Sequence, residues 1–143
     1  MIVFKVKKES IVFYEKRGCG GNKRQKELLE HHGISLDVRS LLDTTWSKES
    51  LSSFFEGLTP KQMLNPFAPQ VKEGRFRVEE FTKESLIEKM VEEPILIRRP
   101  LLQVGEVKLC GFDIARLNEL LHVKMPLSQT IHACLSSDAC NNA

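Results

Sequence analysis

The chain has 143 residues, of which 41% are hydrophobic and 28% are charged, proportions typical of one soluble globular domain. The net charge is only +2 and there is one Trp and one Tyr, so a basic, aromatic nucleic-acid-binding surface is not expected. No apolar run approaches the roughly 18 residues that would cross a bilayer, and MIVFKVKKES is too short and too charged for a signal-peptide core. We therefore expect a cytoplasmic protein with neither membrane nor nucleic acid as a partner.

The pattern predicts a strand, a glycine-rich turn, a helix and a second strand in the first third of the chain. Residues 10–14 (SIVFY) read as a buried strand, and KRQKELLEHHG reads as a helix that Gly33 closes. ISLDVRSL alternates apolar and polar residues, as a half-buried strand does. Such a βαβ unit normally has parallel strands. Residues 1–9 are interpreted either as an extra edge strand or as a leader.

The middle of the chain predicts a helical insertion at about residues 47–93. Ser47 and Thr82 are placed to cap helices, and Thr59 followed by Pro60 is typical of a third helix start. Between them, residues 65–80 contain two prolines and a glycine and predict an irregular connection.

The last third predicts two short strands, a helix and an extension. Strands are predicted at Leu101–Val104 and Val107–Cys110, joined by a turn at Gly105, and Asp113 should cap an amphipathic helix. One domain is therefore expected at residues 10–123, followed by a mobile C-terminal extension at 124–143.

Cys19 is the candidate reactive group, because it lies between the first strand and the first helix. A thiol at a helix N-terminus faces unpaired N–H groups and the positive end of the helix dipole, which favour the thiolate. Gly20 and Gly21 would let an oxyanion or a disulfide approach the backbone, and four nearby cations would add attraction: Lys16, Arg17, Lys23 and Arg24. The alternative is that Cys19 is only a small residue in a tight loop.

The remaining cysteines and histidines predict no metal site. Adjacent helical residues such as His31 and His32 point about 100° apart, and no Cys-x-x-Cys pair occurs. Cys110 is expected to be buried and inert. Asn22 stands where a local resolving thiol would be, so Cys134 or Cys140 in the extension is the alternative internal partner for Cys19.

Two motifs carry a resemblance to a known family. IVFYEKRGCGGNKRQ resembles the first strand, cysteine loop and helix of the ArsC family of arsenate reductases, and PILIRRPLLQVG resembles its second signature. LCGFD and the following helix resemble the end of the family domain, particularly in Spx-like branches. EKRGCGGN with LIRRP and QVG is also similar to the nitrogenase-associated subgroup. The resemblance covers about residues 10–122 and implies an α/β fold, a thioredoxin-like mixed four-stranded sheet with flanking helices and a helical insertion.

The resemblance also implies roles for particular residues. Cys19 matches the nucleophile, Arg99 matches an anion-binding arginine with Arg98 beside it, and Pro100 matches a cis proline next to the thiol. In such reductases glutathione is a co-substrate, glutaredoxin is the reducing partner, and no cofactor is bound. The implied anion- or glutathione-binding set is Gly20, Gly21, Lys23, Arg24, Arg98, Arg99 and Pro100.

Four positions depart from the family pattern. Glu15 replaces a histidine and would oppose thiolate formation, and Lys23 replaces an arginine. The family's other two anion-binding arginines fall at Asn65 and Gly111, which carry no charge. The loss of two charged donors predicts weak arsenate binding.

Two functions are therefore predicted. The first is a thiol-dependent reductase linked to glutathione or glutaredoxin. The alternative is a non-catalytic module that binds another protein, as Spx-type regulators do.

Overall fold

The computed structural model describes residues 10–127, in which a four-stranded mixed sheet separates two helical layers. The strands are β1 (Ser10–Glu15), β2 (Ser35–Ser40), β3 (Leu101–Val104) and β4 (Val107–Cys110), arranged in the order β2-β1-β3-β4. β1 runs parallel to β2 and antiparallel to β3, and β3 pairs antiparallel with β4. The predicted mixed four-stranded sheet is confirmed, and β3 and β4 have the predicted bounds.

Each helix of the described residues begins beside a capping side chain or a proline. They are α1 (Gly20–His31), α2 (Lys48–Ser52), α3 (Pro60–Met63), α4 (Pro69–Lys72), α5 (Lys83–Glu92) and α6 (Ile114–Leu121), with 3₁₀ turns at Ser53–Phe55, Val78–Glu80 and Pro94–Leu96. The side chains of Ser47, Thr82 and Asp113 each accept a backbone N–H of the first helical turn, as predicted.

The central strand β1 contributes to two separate hydrophobic cores because its side chains alternate between the faces of the sheet. Ile11 and Phe13 are fully buried on one face, against Leu29 of α1 and the apolar side of α6. Tyr14 lies on the other face with Trp46 and the helical insertion. The insertion therefore covers the face opposite α1, and the end of β1 lies between the two layers.

Helix α1 begins at Gly20, three residues before the predicted start, because Cys19 itself caps it. This places Asn22 inside the helix and buries it. The other end agrees with the prediction, since Gly33 has a φ of 80° just after the helix.

Strand β2 is less buried than its alternation predicted. Val38 is 41% exposed, whereas Leu36 is half-buried. β2 forms an edge of the sheet, so it has no neighbouring strand on its outer side whose side chains would flank Val38.

The structure describes only residues 124–127 of the predicted extension. Met125 is buried there, and its backbone N–H and carbonyl both bond the side-chain amide of Asn118. Residues 1–9 and 128–143, with the predicted leader or edge strand and with Cys134 and Cys140, lie outside the described residues. In the described part of the chain, every helix is too short or too polar to cross a bilayer.

Candidate functional site

The turn between β1 and α1 joins Lys16 directly to Cys19. The backbone N–H of Cys19 donates to the carbonyl of Lys16 at 3.0 Å, which closes a four-residue β-turn. Gly18 is the third residue of this turn and has a φ of 83°, as a type II turn requires. The glycine before the thiol is thus explained by backbone geometry.

Cys19 is the N-cap of α1. Its Sγ atom accepts the backbone N–H of Asn22 at 3.5 Å, in the position that a serine or aspartate oxygen usually occupies. The sulfur therefore lies at the positive end of a 12-residue helix, which favours a negative charge on it. Cys19 is only 3% exposed, so a reagent must enter a cleft to reach it.

A buried amide network fixes this turn. The Oδ1 atom of Asn22 accepts the backbone N–H of Lys16 at 2.9 Å, and its Nδ2 donates to Oε1 of Gln25 at 2.9 Å. Both amide side chains are about 2% exposed or less. Sequence reasoning missed this pair, although the spacing of Asn22, Gln25 and the core residue Leu29 on one helical face was a usable signal.

A narrow cleft beside Cys19 brings together three parts of the chain. Its volume is about 20 Å³, enough for roughly one water molecule. The lining residues come from the start of α1, the segment after α3 and the segment before β3, and they are Cys19, Asn22, Gln25, Asn65, Pro66, Phe67, Arg98 and Arg99. The structure therefore places both predicted arginines at the thiol, and the bond from Arg99 to Pro100 is cis, as the resemblance implied.

The two arginines are held differently. Arg98 donates from its backbone to the carbonyl of Met63 and from Nε to the carbonyl of Gln62, both at 2.9 Å, and thereby ties the insertion to the sheet. The Nε atom of Arg99 is buried. Arg99 also acts electrostatically on Lys16, so these two cations lie near each other.

Lys16 is the buried cation of the cysteine turn, with 8% of its surface exposed. Burial lowers the pKa of its ammonium group, and the nearby Arg99 guanidinium lowers it further. Cys19 acts in the opposite direction, because a negative sulfur favours the charged form of Lys16. Lys16, Cys19 and Arg99 thus form one electrostatically connected group.

The other predicted cations are exposed. Arg17 lies 3.9 Å from the Asp43 carboxylate, and Lys23 uses its backbone N–H to bond the carbonyl of Cys19. Arg24 turns back toward the start of the helix, where its Nη1 is 3.6 Å from the position of a Cβ at Gly20. Gly21 is buried in the first turn.

Three departures from the family pattern acquire a structural explanation. Glu15 pairs with Lys26 of α1 at 2.5 Å, so this cation offsets the repulsion expected between the carboxylate and the thiolate. Asn65 uses its amide to bond the carbonyl of Ile95 and the N–H of Phe67, both at 3.0 Å. Gly111 has a φ of 91°, a conformation that arginine rarely adopts.

Cys110 differs from Cys19 in its surroundings. The prediction that Cys110 is buried is met only in part, because the residue is partly exposed. Desolvation of its thiol raises the pKa to about 12, although nearby Arg98 opposes that shift. Its Sγ donates to the carbonyl of Arg98 at 3.5 Å. This thiol is therefore neutral at physiological pH.

The sequence matches a protein-family profile and resembles several individual proteins. A sequence profile described as the ArsC family matches residues 7–120. The "Uncharacterized 15.7 kDa protein in draG 3'region" of Rhodospirillum rubrum is 40% identical over 108 residues, 76% of each chain. Arsenate reductase ArsI2 of Synechocystis is 30% identical over 70% of this chain and 74% of its own, and the regulatory protein MgsR of Bacillus subtilis is 25% identical over 87% and 96%.

Solved structures show the same fold. An ArsC family related protein from Bacteroides fragilis superposes with a TM-score of 0.68 at 23% identity, covering 77% of this chain and 96% of its own. Arsenate reductase from Vibrio cholerae gives 0.64 at 22% identity, covering 82% and 100%. The thioredoxin-like fold predicted from the two motifs is confirmed.

Proposed function

The chain belongs to the ArsC family, and from this premise we propose that it is a thiol-dependent reductase in which Cys19 is the nucleophile and glutathione the co-substrate. The observation that carries the proposal is the position of Cys19, which caps α1 inside a cleft that both Arg98 and Arg99 line. A thiolate is the reactive form of cysteine, and a helix N-terminus with nearby cations stabilises it.

The proposed chemistry begins with attack of the Cys19 thiolate on the glutathione sulfur of a glutathionylated protein. A new S–S bond forms to Cys19 while the old bond breaks, and the displaced sulfur leaves as a thiolate. A glutathione thiolate then attacks the mixed disulfide, which regenerates the Cys19 thiolate and releases oxidised glutathione. A thiolate of glutaredoxin would attack the mixed disulfide in the same way in place of glutathione.

The cations of the cleft match the charge of such a ligand. Glutathione carries carboxylates, and arginine binds carboxylates through its planar, forked set of donors. Arg98 and Arg99 line the cleft from the segment before β3 and would hold the ligand, with Lys23, Arg24, Gly20 and Gly21 at the helix start. The cleft volume of about 20 Å³ is too small for glutathione, so side chains that line the cleft must move when glutathione enters.

The test is exposure of the reduced protein to oxidised glutathione, followed by mass spectrometry of its peptides. We expect one glutathione adduct, on Cys19, which reduced glutathione removes. The Cys19→Ser variant should form no adduct at this position, while the Cys110→Ser variant should react like wild type. An adduct on Cys110 with none on Cys19 would contradict the proposal.

A second candidate function is a protein-binding module without catalysis. The regulatory protein MgsR matches 127 residues at 25% identity, a longer stretch than the reductases in the same comparison. The resemblance to Spx-type regulators points the same way. Asn22 occupies the place of the second cysteine of a redox switch, so such a module would bind its partner regardless of redox state. Persistent inertness of Cys19 toward both forms of glutathione would favour this function.

A further inference from the structure

We propose that Lys16 is a positioning residue for the reactive thiol, and that the Lys16 ammonium group stabilises the Cys19 thiolate. The inference rests on the proposed function, in which Cys19 reacts as a thiolate. It goes beyond that function because the proposed function assigns stabilisation of the thiolate to the arginines and the helix dipole, and gives Lys16 no role.

The first argument is the way the backbone binds these two residues together. The Cys19 N–H bonds the Lys16 carbonyl, and the Lys16 N–H bonds the buried side chain of Asn22. Asn22 in turn donates its own backbone N–H to the Cys19 sulfur. Lys16 and Cys19 therefore have fixed relative backbone positions, so the lysine loses less conformational entropy when it approaches the sulfur.

The second argument is burial. Lys16 is 8% exposed, whereas Arg17, Lys23 and Arg24 lie on the surface. A buried lysine is destabilised unless a negative group compensates it. Cys19 supplies part of this compensation, since its negative charge favours the charged lysine and opposes the larger effect of burial.

The third argument is the charge balance around the turn. Arg98 and Arg99 approach from the segment before β3, and Arg24 approaches along α1. The segment after α3 contributes only the neutral residues Asn65, Pro66 and Phe67, and the Glu15 carboxylate pairs with Lys26. The nearest charges are thus predominantly positive, so the Cys19 sulfur gains stability as an anion.

The experiment measures the rate of Cys19 alkylation by iodoacetamide against pH, read from the Cys19 peptide of the full-length protein. In Lys16→Met we expect the midpoint of this profile to rise by about one pH unit relative to wild type. Lys16→Arg should restore the wild-type midpoint because it restores the charge. Arg17→Met removes an exposed cation from the same turn, outside the proposed ligand-binding residues, and should leave the midpoint unchanged.

Three results would overturn the proposal: an unchanged midpoint in Lys16→Met, no restoration in Lys16→Arg, or an equal shift in Arg17→Met. Failure of the reductase function looks different, because wild-type Cys19 would then form no glutathione adduct while the alkylation profiles still differ between variants. If Lys16→Met does not fold, the wild-type protein offers the reciprocal measurement. Capping Cys19 with a neutral methylthio group should lower the NMR titration midpoint of Lys16, and an unchanged midpoint would refute the coupling.

Discussion

The side chain of Arg98 runs across Gly111, so that its Cδ atom lies 3.7 Å from the point where a Cβ on Gly111 would stand. The same glycine donates its N–H to the carbonyl of Pro100 at 2.8 Å and adopts a φ of 91°. The family pattern places an arginine at this position, and here the neighbouring space is used by Arg98. Arg98 thus brings a cation beside the position at which the resemblance implied an arginine.

Gly111→Ala should therefore lower the free energy of unfolding by about 1–2 kcal/mol, because an L-residue is strained at this φ. Urea denaturation at neutral pH measures the change. Gly20→Ala is the matched control, since Gly20 has no positive φ and an added Cβ would meet only the flexible end of Arg24. Equal stability of Gly111→Ala and wild type would show that the turn relaxes without strain.

Arg99→Ala should reduce the reactivity of Cys19 more than Arg98→Ala does. Arg99 belongs to the electrostatic group of Lys16 and Cys19, whereas the Nε of Arg98 bonds the Gln62 carbonyl. We expect the midpoint of the alkylation profile of Cys19 to rise in Arg99→Ala. A larger rise in Arg98→Ala would instead make Arg98 the main partner of the thiolate.

Arsenate reduction with glutathione and glutaredoxin should be weak. Asn65 carries no charge and its amide is already hydrogen-bonded, while Gly111 offers no side chain. Loss of two charged donors, each contributing about 1.5–3 kcal/mol, predicts turnover at least about 100-fold below that of a family arsenate reductase assayed in parallel. A coupled assay of NADPH consumption checks this, and comparable turnover would contradict it.

Stability should fall as the pH rises above about 9, in part because of Cys110. Its pKa is raised from 9.0 to about 12 in the folded protein, so the folded chain retains a proton that the unfolded chain loses in this range. The contribution of the retained Cys110 proton to the free energy of unfolding is fully present below pH 9. It declines by up to about 1.4 kcal/mol per pH unit above pH 9. Urea denaturation of reduced wild type and Cys110→Ala between pH 8 and 10.5 should show a flatter pH dependence in the variant. Parallel curves would mean that Cys110 does not cause the decline.

Local sequence signals were sufficient for most of the fold. Capping side chains at Ser47, Thr82 and Asp113 defined helix starts, since a cap is an interaction within three residues. The tight turn at Gly105 defined β3 and β4, because a turn is also an interaction between near neighbours in the sequence. Strand β2 was the exception, because exposure of Val38 depends on which strand becomes the edge of the sheet.

The sequence alone determined that Cys19 would stand at the start of a helix, because glycines, a preceding strand and a following amphipathic segment are local features. Only the tertiary structure decided which cations lie buried or line the cleft near that thiol. Four basic residues lie within five positions of Cys19, yet folding buries Lys16 and exposes the other three, while Arg98 and Arg99 arrive from some 80 residues away. Electrostatic strength depends on distance and burial rather than on spacing along the chain, so no local pattern could have selected Lys16.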